Sequence, residues 1–321
     1  MPKKKNVVEG RSQQERIKVR KTLGSLKSLT VQPSTRKRYD LALERFFQWL
    51  REENLTLPRQ KGQLDGLVSD YLEKLWSTGE GRSRANDTLA ALQDFDPQLK
   101  HRLQGSWRLL KAWSTTEIPN RAPPLPVEAL YAMVGYSICQ GSPDFGLSLL
   151  VAFFGLLRTG EILALTNKDI TMVSNSQPAV VSLGLTKGGK RTGASESVTL
   201  SAVEVLRPLY QWKITHNRGS RLTHAPHLWR KQFSDTLVGL GWSEFGFRPY
   251  SLRRGGATFW FGHHANFDRL LQLGRWQAIK SARVYLNDGL AMMASLNLPW
   301  KKAKPFLKTY QTTVRNSQTT A

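Results

Sequence analysis

The sequence predicts a mainly α chain with a small β-sheet or hairpin, an α+β fold in two domains. Apolar residues recur at helical spacing on both sides of a proline-rich segment, Ile118 to Pro126. One pair of short strand-like runs, Ala179 to Thr186 and Val198 to Leu200, brackets a glycine-rich turn. A chain of 321 residues is long enough for two cores of ordinary size.

Residues 1–33 carry no sustained hydrophobic periodicity and read as a flexible basic arm, in which Lys3, Lys4 and Lys5 form either a nuclear address, in a eukaryotic cell, or a solvated run. Residues 34–117 read as a helical module. Ser34 or Thr35 caps a helix with Tyr39, Leu43, Phe46, Phe47 and Leu50 on one face, and Arg36, Lys37 and Arg38 crowd its first turn. Basic residues there oppose the helix dipole, a placement suited to phosphate contact or simply a poorly optimised surface turn. Further helices are expected over Leu64 to Trp76 and around Leu99, Leu103, Trp107 and Leu110. Residues 118–126, with Pro119, Pro123, Pro124 and Pro126, form a stiff linker. A second domain follows over residues 127–298, opening with helices over Val127 to Ser137 and Phe145 to Leu156, and residues 299–321 read as a basic tail.

The net charge is +23. Twelve Lys or Arg against Glu9 and Glu15 give residues 1–38 a net +10, which leaves +13 to the rest of the chain. Such a balance favours a polyanion, nucleic acid ahead of an acidic membrane, because no amphipathic basic helix stands out. The apolar run Leu147 to Leu157 is too short to span a bilayer, and no secretory h-region is expected near the start. Cys139 is the only cysteine, so an internal disulfide and a zinc site built on cysteine pairs are excluded.

Four stretches carry candidate chemistry. Arg158 and Glu161, at the end of the apolar run, share a face if their turn is helical, either as a surface ion pair or as an oriented guanidinium. Lys187, Lys190 and Arg191 lie in the hairpin turn, where charge is commonly only solubilising. In Tyr250-Ser251-Leu252-Arg253-Arg254 the arginines precede Gly255, Gly256 and Ala257, whose small side chains let a neighbouring backbone come close within a helix Leu252 to Phe261. Asn266 caps a helix Phe267 to Leu273 that Gly274 ends; Arg275 and Trp276 follow. A last helix carries Ala278, Ile279, Ala282, Tyr285 and Leu286 on one face, so Tyr285 also reads as a core aromatic. His263 and His264 read as turn residues.

In order and spacing, these motifs resemble the tyrosine recombinases, the phage-integrase family. Arg158 with Glu161 matches the first arginine motif, Lys187 the hairpin lysine, Tyr250 to Arg253 the His-x-x-Arg box, Trp276 the His/Trp position and Tyr285 the nucleophile. The resemblance covers about residues 122–298, and residues 34–117 look like the family's helical core-binding domain. Tyr250 stands where the family has histidine.

The resemblance implies a two-domain clamp on double-stranded DNA and a site-specific recombinase or integrase from a mobile element. Such an enzyme cleaves and rejoins DNA through a 3′-phosphotyrosine and needs neither cofactor nor metal. Arg158 and Arg253 are then expected to bind the phosphate, Glu161 to support Arg158, Lys187 to protonate the leaving 5′ oxygen, and Trp276 to donate a hydrogen bond. Tyr250 is expected to bond either the phosphate or Tyr285. Arg36, Lys37, Arg38, Lys190, Arg191 and Arg275 are expected DNA contacts; Arg254, turned about 100° away from Arg253, is a further one or plays no part. Self-association into a tetramer on DNA is expected through the apolar segment Met292 to Trp300, the alternative being that this segment packs on its own domain. The alternatives are a decayed DNA-binding protein of the same fold and a relaxing topoisomerase.

Overall fold

The computed structural model describes residues 12–319 apart from 59, 61, 119, 185 and 187–194. The chain divides into two compact units, Met1–Asn120 and Arg121–Ala321.

The first unit is helical: α1 (Gln13–Leu23), α2 (Pro33–Glu52), α3 (Leu64–Ser77), α4 (Arg82–Phe95) and α5 (Gln104–Thr116). Where the sequence suggests a flexible arm, α1 forms without burying any residue. Its start is fixed locally by a reciprocal cap, Ser12 N donating to Glu15 Oε2 at 2.9 Å and Glu15 N to Ser12 Oγ at 3.3 Å. Helix α2 begins at Pro33, with Gln32 rather than Ser34 or Thr35 as its N-cap, because proline pre-sets the first-turn φ and lacks an N–H that would go unpaired.

The core of this unit gathers Phe46, Trp49 and Leu50 from α2, Val68, Tyr71 and Leu72 from α3, Ala85, Leu89 and Leu92 from α4, and Leu110 and Trp113 from α5. Phe46 meets Tyr71 edge-on at 5.2 Å. Asp65 caps α5 from a distance, accepting from Gly105 N at 2.7 Å and Ser106 N at 2.9 Å. Arg36 pairs with Asp94 at 2.6 Å and Arg38 with Asp87, so two of the three basic residues on the first turn of α2 tie it to α4.

The second unit is built on α6 (Val127–Cys139) and α7 (Pro143–Phe154), the latter buried from Phe145 to Phe153. A short turn α8 (Thr159–Ile162) leads to three antiparallel strands, β1 (Ile170–Thr171), β2 (Ala179–Gly184) and β3 (Glu196–Leu200), in the order β1-β2-β3. Val181 pairs with Ile170 on one side and Val198 on the other. Lys187, Lys190 and Arg191, between β2 and β3, lie outside the described residues. Then come α9 (Val203–Thr215), α10 (Pro226–Leu240), α11 (Pro249–His264), α12 (Phe267–Gly274), α13 (Ile279–Arg283), α14 (Asp288–Asn297) and α15 (Trp300–Thr319).

The small residues of α11 do what their size suggests. A Cβ on Gly256 would lie 2.1 Å from Phe153 O, and one on Gly255 would lie 2.1 Å from Leu125 O, so α11 sits against the backbone of α7 and of the proline-rich segment. Ser251 O accepts from Leu125 N at 3.1 Å, which fastens the same two pieces.

Two expectations are corrected near the C-terminus. Helix α13 stops at Arg283, so Tyr285 follows a single short turn instead of lying within a longer helix. The basic tail is the helix α15: Ala303, Phe306 and Tyr310 fall on one face and pack on α6, while Lys301, Lys302, Lys304 and Lys308 face solvent. Tyr310 stacks on Tyr131 at 4.6 Å, and a Cβ on Gly135 would lie 1.9 Å from Phe306 O. Of the segment expected to dock on a neighbour, Leu298 and Trp300 pack in their own unit, Trp300 edge-on to Trp242 at 5.7 Å, whereas Met292, Met293 and Leu296 on α14 are exposed.

Removing residues 299–321 is expected to lower the thermal midpoint by about 5–10 °C, the effect of a few kcal/mol in a unit of this size. Circular dichroism melts of the full and shortened chains measure it; a solvated tail would leave the midpoint unchanged.

Candidate active site

The end of α7 positions the first arginine. Leu156 has φ 45, which turns the chain sharply, and Arg158 becomes the N-cap of α8. Glu161, three residues on, grips it twice: Oε2 accepts from Arg158 N at 2.7 Å, and Oε1 from Arg158 Nη1 at 2.6 Å. The Arg158 side chain stays 31% exposed.

Helix α11 supplies three side chains to the next layer. Arg253 is wholly buried. Its Nη1 donates to the carbonyl of Leu156 and its Nη2 to that of Gly274 at 2.5 Å. Its guanidinium lies 4.7 Å from the Trp276 ring centre and 5.3 Å from that of Tyr285. Burial, then the charges of Arg275 and Arg158, push its pKa down to about 10. Tyr250, one turn earlier, donates its hydroxyl hydrogen to the Tyr285 hydroxyl, with the rings 5.6 Å apart. Thr258 Oγ1 donates to Tyr285 O at 3.2 Å and accepts from Asn287 N at 3.3 Å, fixing the backbone on either side of the nucleophile candidate.

The turn after α12 closes the site. Asn266 caps α12 through Arg269 N at 2.9 Å. A Cβ on Gly274 would lie 1.8 Å from Trp276 Cζ3, so only glycine lets the indole fold back against Tyr285, at 4.6 Å between ring centres. The buried Trp276 Nε1 has no hydrogen-bond partner among the described residues. His263 and His264 bond their own helix, at Phe259 O and Trp260 O, both 2.8 Å.

The two phenols are driven apart. Burial raises the pKa of Tyr285, but the hydrogen bond from Tyr250 and the charge of Arg253 outweigh it and hold the phenol below its ordinary value. Tyr250 is pushed up, first by burial and then by its bond to Tyr285. A cavity of about 390 Å³, lined in part by Thr159, Arg230 and Arg248, adjoins Tyr250.

Arg158, Glu161, Tyr250, Arg253, Trp276 and Tyr285 thus come together, while Lys187, Lys190 and Arg191 lie outside the described residues. Arg275, expected at the DNA surface, and Arg254, expected either there or to play no part, have buried side chains committed to protein partners. Arg254 donates to Ala122 O and, at 3.2 Å, to Val284 O, bracing the chain just before Tyr285. Arg275 is 6% exposed, donates from Nη2 to Glu161 Oε2 at 2.6 Å and lies 3.3 Å from Glu196 Oε2. Glu196 and Thr258 escape a reading of the sequence. Glu196 opens β3 and, being an acid just after the basic hairpin turn, offers a weak signal; Thr258 is four residues beyond Arg254, on the same face of α11.

The sequence matches no protein-family model and no curated protein. The fold has solved counterparts. The Tn1549 transposon integrase, solved with transposon right-end DNA, superposes with a TM-score of 0.60 at 12% identity, over 83% of this chain and 94% of that one. The XerH site-specific recombinase, bound to palindromic difH substrate, gives 0.57 at 15% identity over 83% and 79%. A lambda integrase bound to a COC′ core site gives 0.57 at 12% identity over 86% and 94%. The chain has the fold of the tyrosine recombinases.

Glu161 holds a buried and a half-buried arginine at once. Glu161→Ala is therefore expected to destabilise the second unit by about 3 kcal/mol, because it leaves the Arg275 charge under-compensated in the interior. Arg158→Ala, at the more exposed end of the same network, should cost under about 1 kcal/mol. Urea unfolding of the two variants checks the ranking.

Proposed function

We propose that the chain is a site-specific DNA recombinase that breaks and rejoins strands through a 3′-phosphotyrosine. The observation that carries this reading is the placement of Tyr285 against Arg253, Trp276 and Tyr250 with the Arg158–Glu161 pair in the same site. The structural neighbours, two of them a transposon integrase and a lambda integrase on DNA, and the net charge of +23 support DNA as the substrate.

In this proposal the Tyr285 oxygen attacks a backbone phosphorus; the bond to the 5′ oxygen breaks, and its energy is kept in the phosphotyrosine. Charge accumulates on the non-bridging oxygens. Arg158 offers a half-exposed guanidinium there, and Arg253 adds a fixed charge under the tyrosine ring, with N–H groups to spare beyond the two that hold carbonyls. The indole N–H of Trp276, which also faces the Tyr285 hydroxyl, is a further donor. Lys187 is assigned the proton for the leaving 5′ oxygen. Rejoining reverses these steps, so neither metal nor nucleotide enters the scheme. Lys37 on α2 is the remaining candidate for backbone contact among the three basic residues there, since Arg36 and Arg38 are paired. Self-association on DNA belongs to the same proposal, with the exposed Met292, Met293 and Leu296 as the apolar surface. Mobile-element integration or excision is the assigned task.

Incubating the protein with a nicked suicide duplex from DNA flanking its gene is expected to give an SDS-resistant protein–DNA adduct. Tyr285→Phe should abolish the adduct, and Arg253→Ala should reduce it by about a hundredfold or more, the scale of losing one group that stabilises the charged transition state. Tight binding with no adduct would instead make the chain a DNA-binding relic. Relaxation of a supercoiled plasmid without exchange of duplexes would make it a topoisomerase.

A further inference from the structure

We propose that Tyr250 is a positioning residue for the nucleophile: its hydroxyl donates to the Tyr285 oxygen, stabilises that oxygen as phenolate and fixes its direction of attack. The inference rests on the reading of Tyr285 as the nucleophile.

The geometry gives Tyr250 a single direction. It lies in the first turn of α11, which is fastened twice, by Arg248 N donating to Ser251 Oγ at 3.1 Å and by Leu125 N donating to Ser251 O at 3.1 Å. Tyr285 is fastened to the same helix through Thr258 and, one residue earlier, through Arg254 on Val284 O. Both phenols therefore hang from one rigid element, and their hydroxyls meet.

The surroundings decide which of the two is the donor. The Tyr285 ring lies 5.3 Å from the guanidinium of Arg253. Arg158, on the N-cap of α8, also acts on Tyr250, and Arg254, next to Arg253 on α11, acts on both phenols while donating to Ala122 O and Val284 O. Arg275 in the turn after α12 is taken up by Glu161 and Glu196, and His263 and His264 are bonded at the far end of α11. The buried cation under Tyr285 favours negative charge there, so that oxygen accepts and Tyr250 keeps its hydrogen.

A tyrosine at this position is thus a donor to the attacking atom and takes no proton from it. The proton of Tyr285 leaves to solvent, to which this half-buried residue is partly open. The phenolate then forms the bond to phosphorus, the bond from phosphorus to the 5′ oxygen breaks, and that oxygen takes its proton from the group assigned to it, Lys187.

The test uses the full chain labelled with ¹³C at the tyrosine Cζ. Eight tyrosines give eight signals, and those of Tyr250 and Tyr285 are identified by their loss in Tyr250→Phe and Tyr285→Phe. Tyr285 is expected to ionise below pH ~10, the ordinary tyrosine value, and to move up by about one pH unit in Tyr250→Phe. Tyr250 should move down in Tyr285→Phe, a reciprocal change that keeps the test decidable if the first variant does not fold. In adduct assays, Tyr250→Phe should form adduct about tenfold more slowly at neutral pH and recover as pH rises, one pH unit of ionisation being one decade of phenolate. Tyr250→His, which restores a donor, should regain part of the loss. A Tyr285 signal that titrates identically with and without the Tyr250 hydroxyl overturns the proposal even if adduct forms. Reciprocal titration shifts in a wild-type chain that forms no adduct would uphold the hydrogen-bonded pair and remove the recombinase reading instead.

Discussion

The second unit depends on how it keeps the Arg253 charge in its interior. A guanidinium out of water is tolerable only when its donors are satisfied and its charge is answered. Here two donors go to the carbonyls of Leu156 and Gly274, Nε has no partner among the described residues, and the faces of Trp276 and Tyr285 cover the plane. Among the described residues no carboxylate touches it. That choice accounts for several local oddities at once: Leu156 takes a left-handed conformation that presents its carbonyl, and residue 274 must be glycine so that Trp276 can fold back. Like charges at Arg275 and Arg158 add to burial in pushing Arg253 down to about 10, so the site is short of negative charge. An anion with several oxygens would supply what the protein withholds.

Helix α11 converts that electrostatic demand into geometry. Tyr250 and Arg253 stand three residues apart along it, Arg254 and Thr258 four apart, and each of the four reaches the segment 284–287 or the rings packed on it. The opposite face carries Gly255 and Gly256, which let the helix lie against backbone on two sides. A helix held that closely cannot rotate, and the four side chains inherit its rigidity.

Much of this was legible in the sequence where the cause was local. Gly255 and Gly256 announced close approach, Asn266 announced a cap, and the apolar run after Phe145 announced a buried helix, since size, capping and periodicity act within a few residues. The convergence of Arg158, Tyr250, Arg253, Trp276 and Tyr285 could be anticipated only as a resemblance of spacing. What stayed hidden were long-range partners: Arg254 and Arg275 read as surface cations because Val284 O and Glu196 lie far off in sequence, and Arg36 and Arg38 read likewise because Asp94 and Asp87 stand on another helix. The C-terminal helix read as a tail because Lys301, Lys302, Lys304 and Lys308 crowd its first half, although three well-spaced apolar residues, Ala303, Phe306 and Tyr310, were enough to pin it.

The two arginines of the candidate site differ in a way that bears on chemistry. Arg253 is wholly buried between two carbonyls and two rings, whereas Arg158 is 31% exposed and held by Glu161, with Glu196 3.9 Å away. A fixed charge lowers a barrier best, because it needs no reorganisation when charge develops, but it can only serve an atom already in place. On the proposed function, the half-exposed arginine can meet an incoming phosphate and still present a set direction, because Glu161 also holds its backbone N–H at 2.7 Å. Glu161 in turn is anchored by Arg275, which is itself buried. The orientation of the exposed guanidinium is therefore inherited from a buried ion pair, so a substitution at Arg275 should disturb phosphate capture without touching the phosphate.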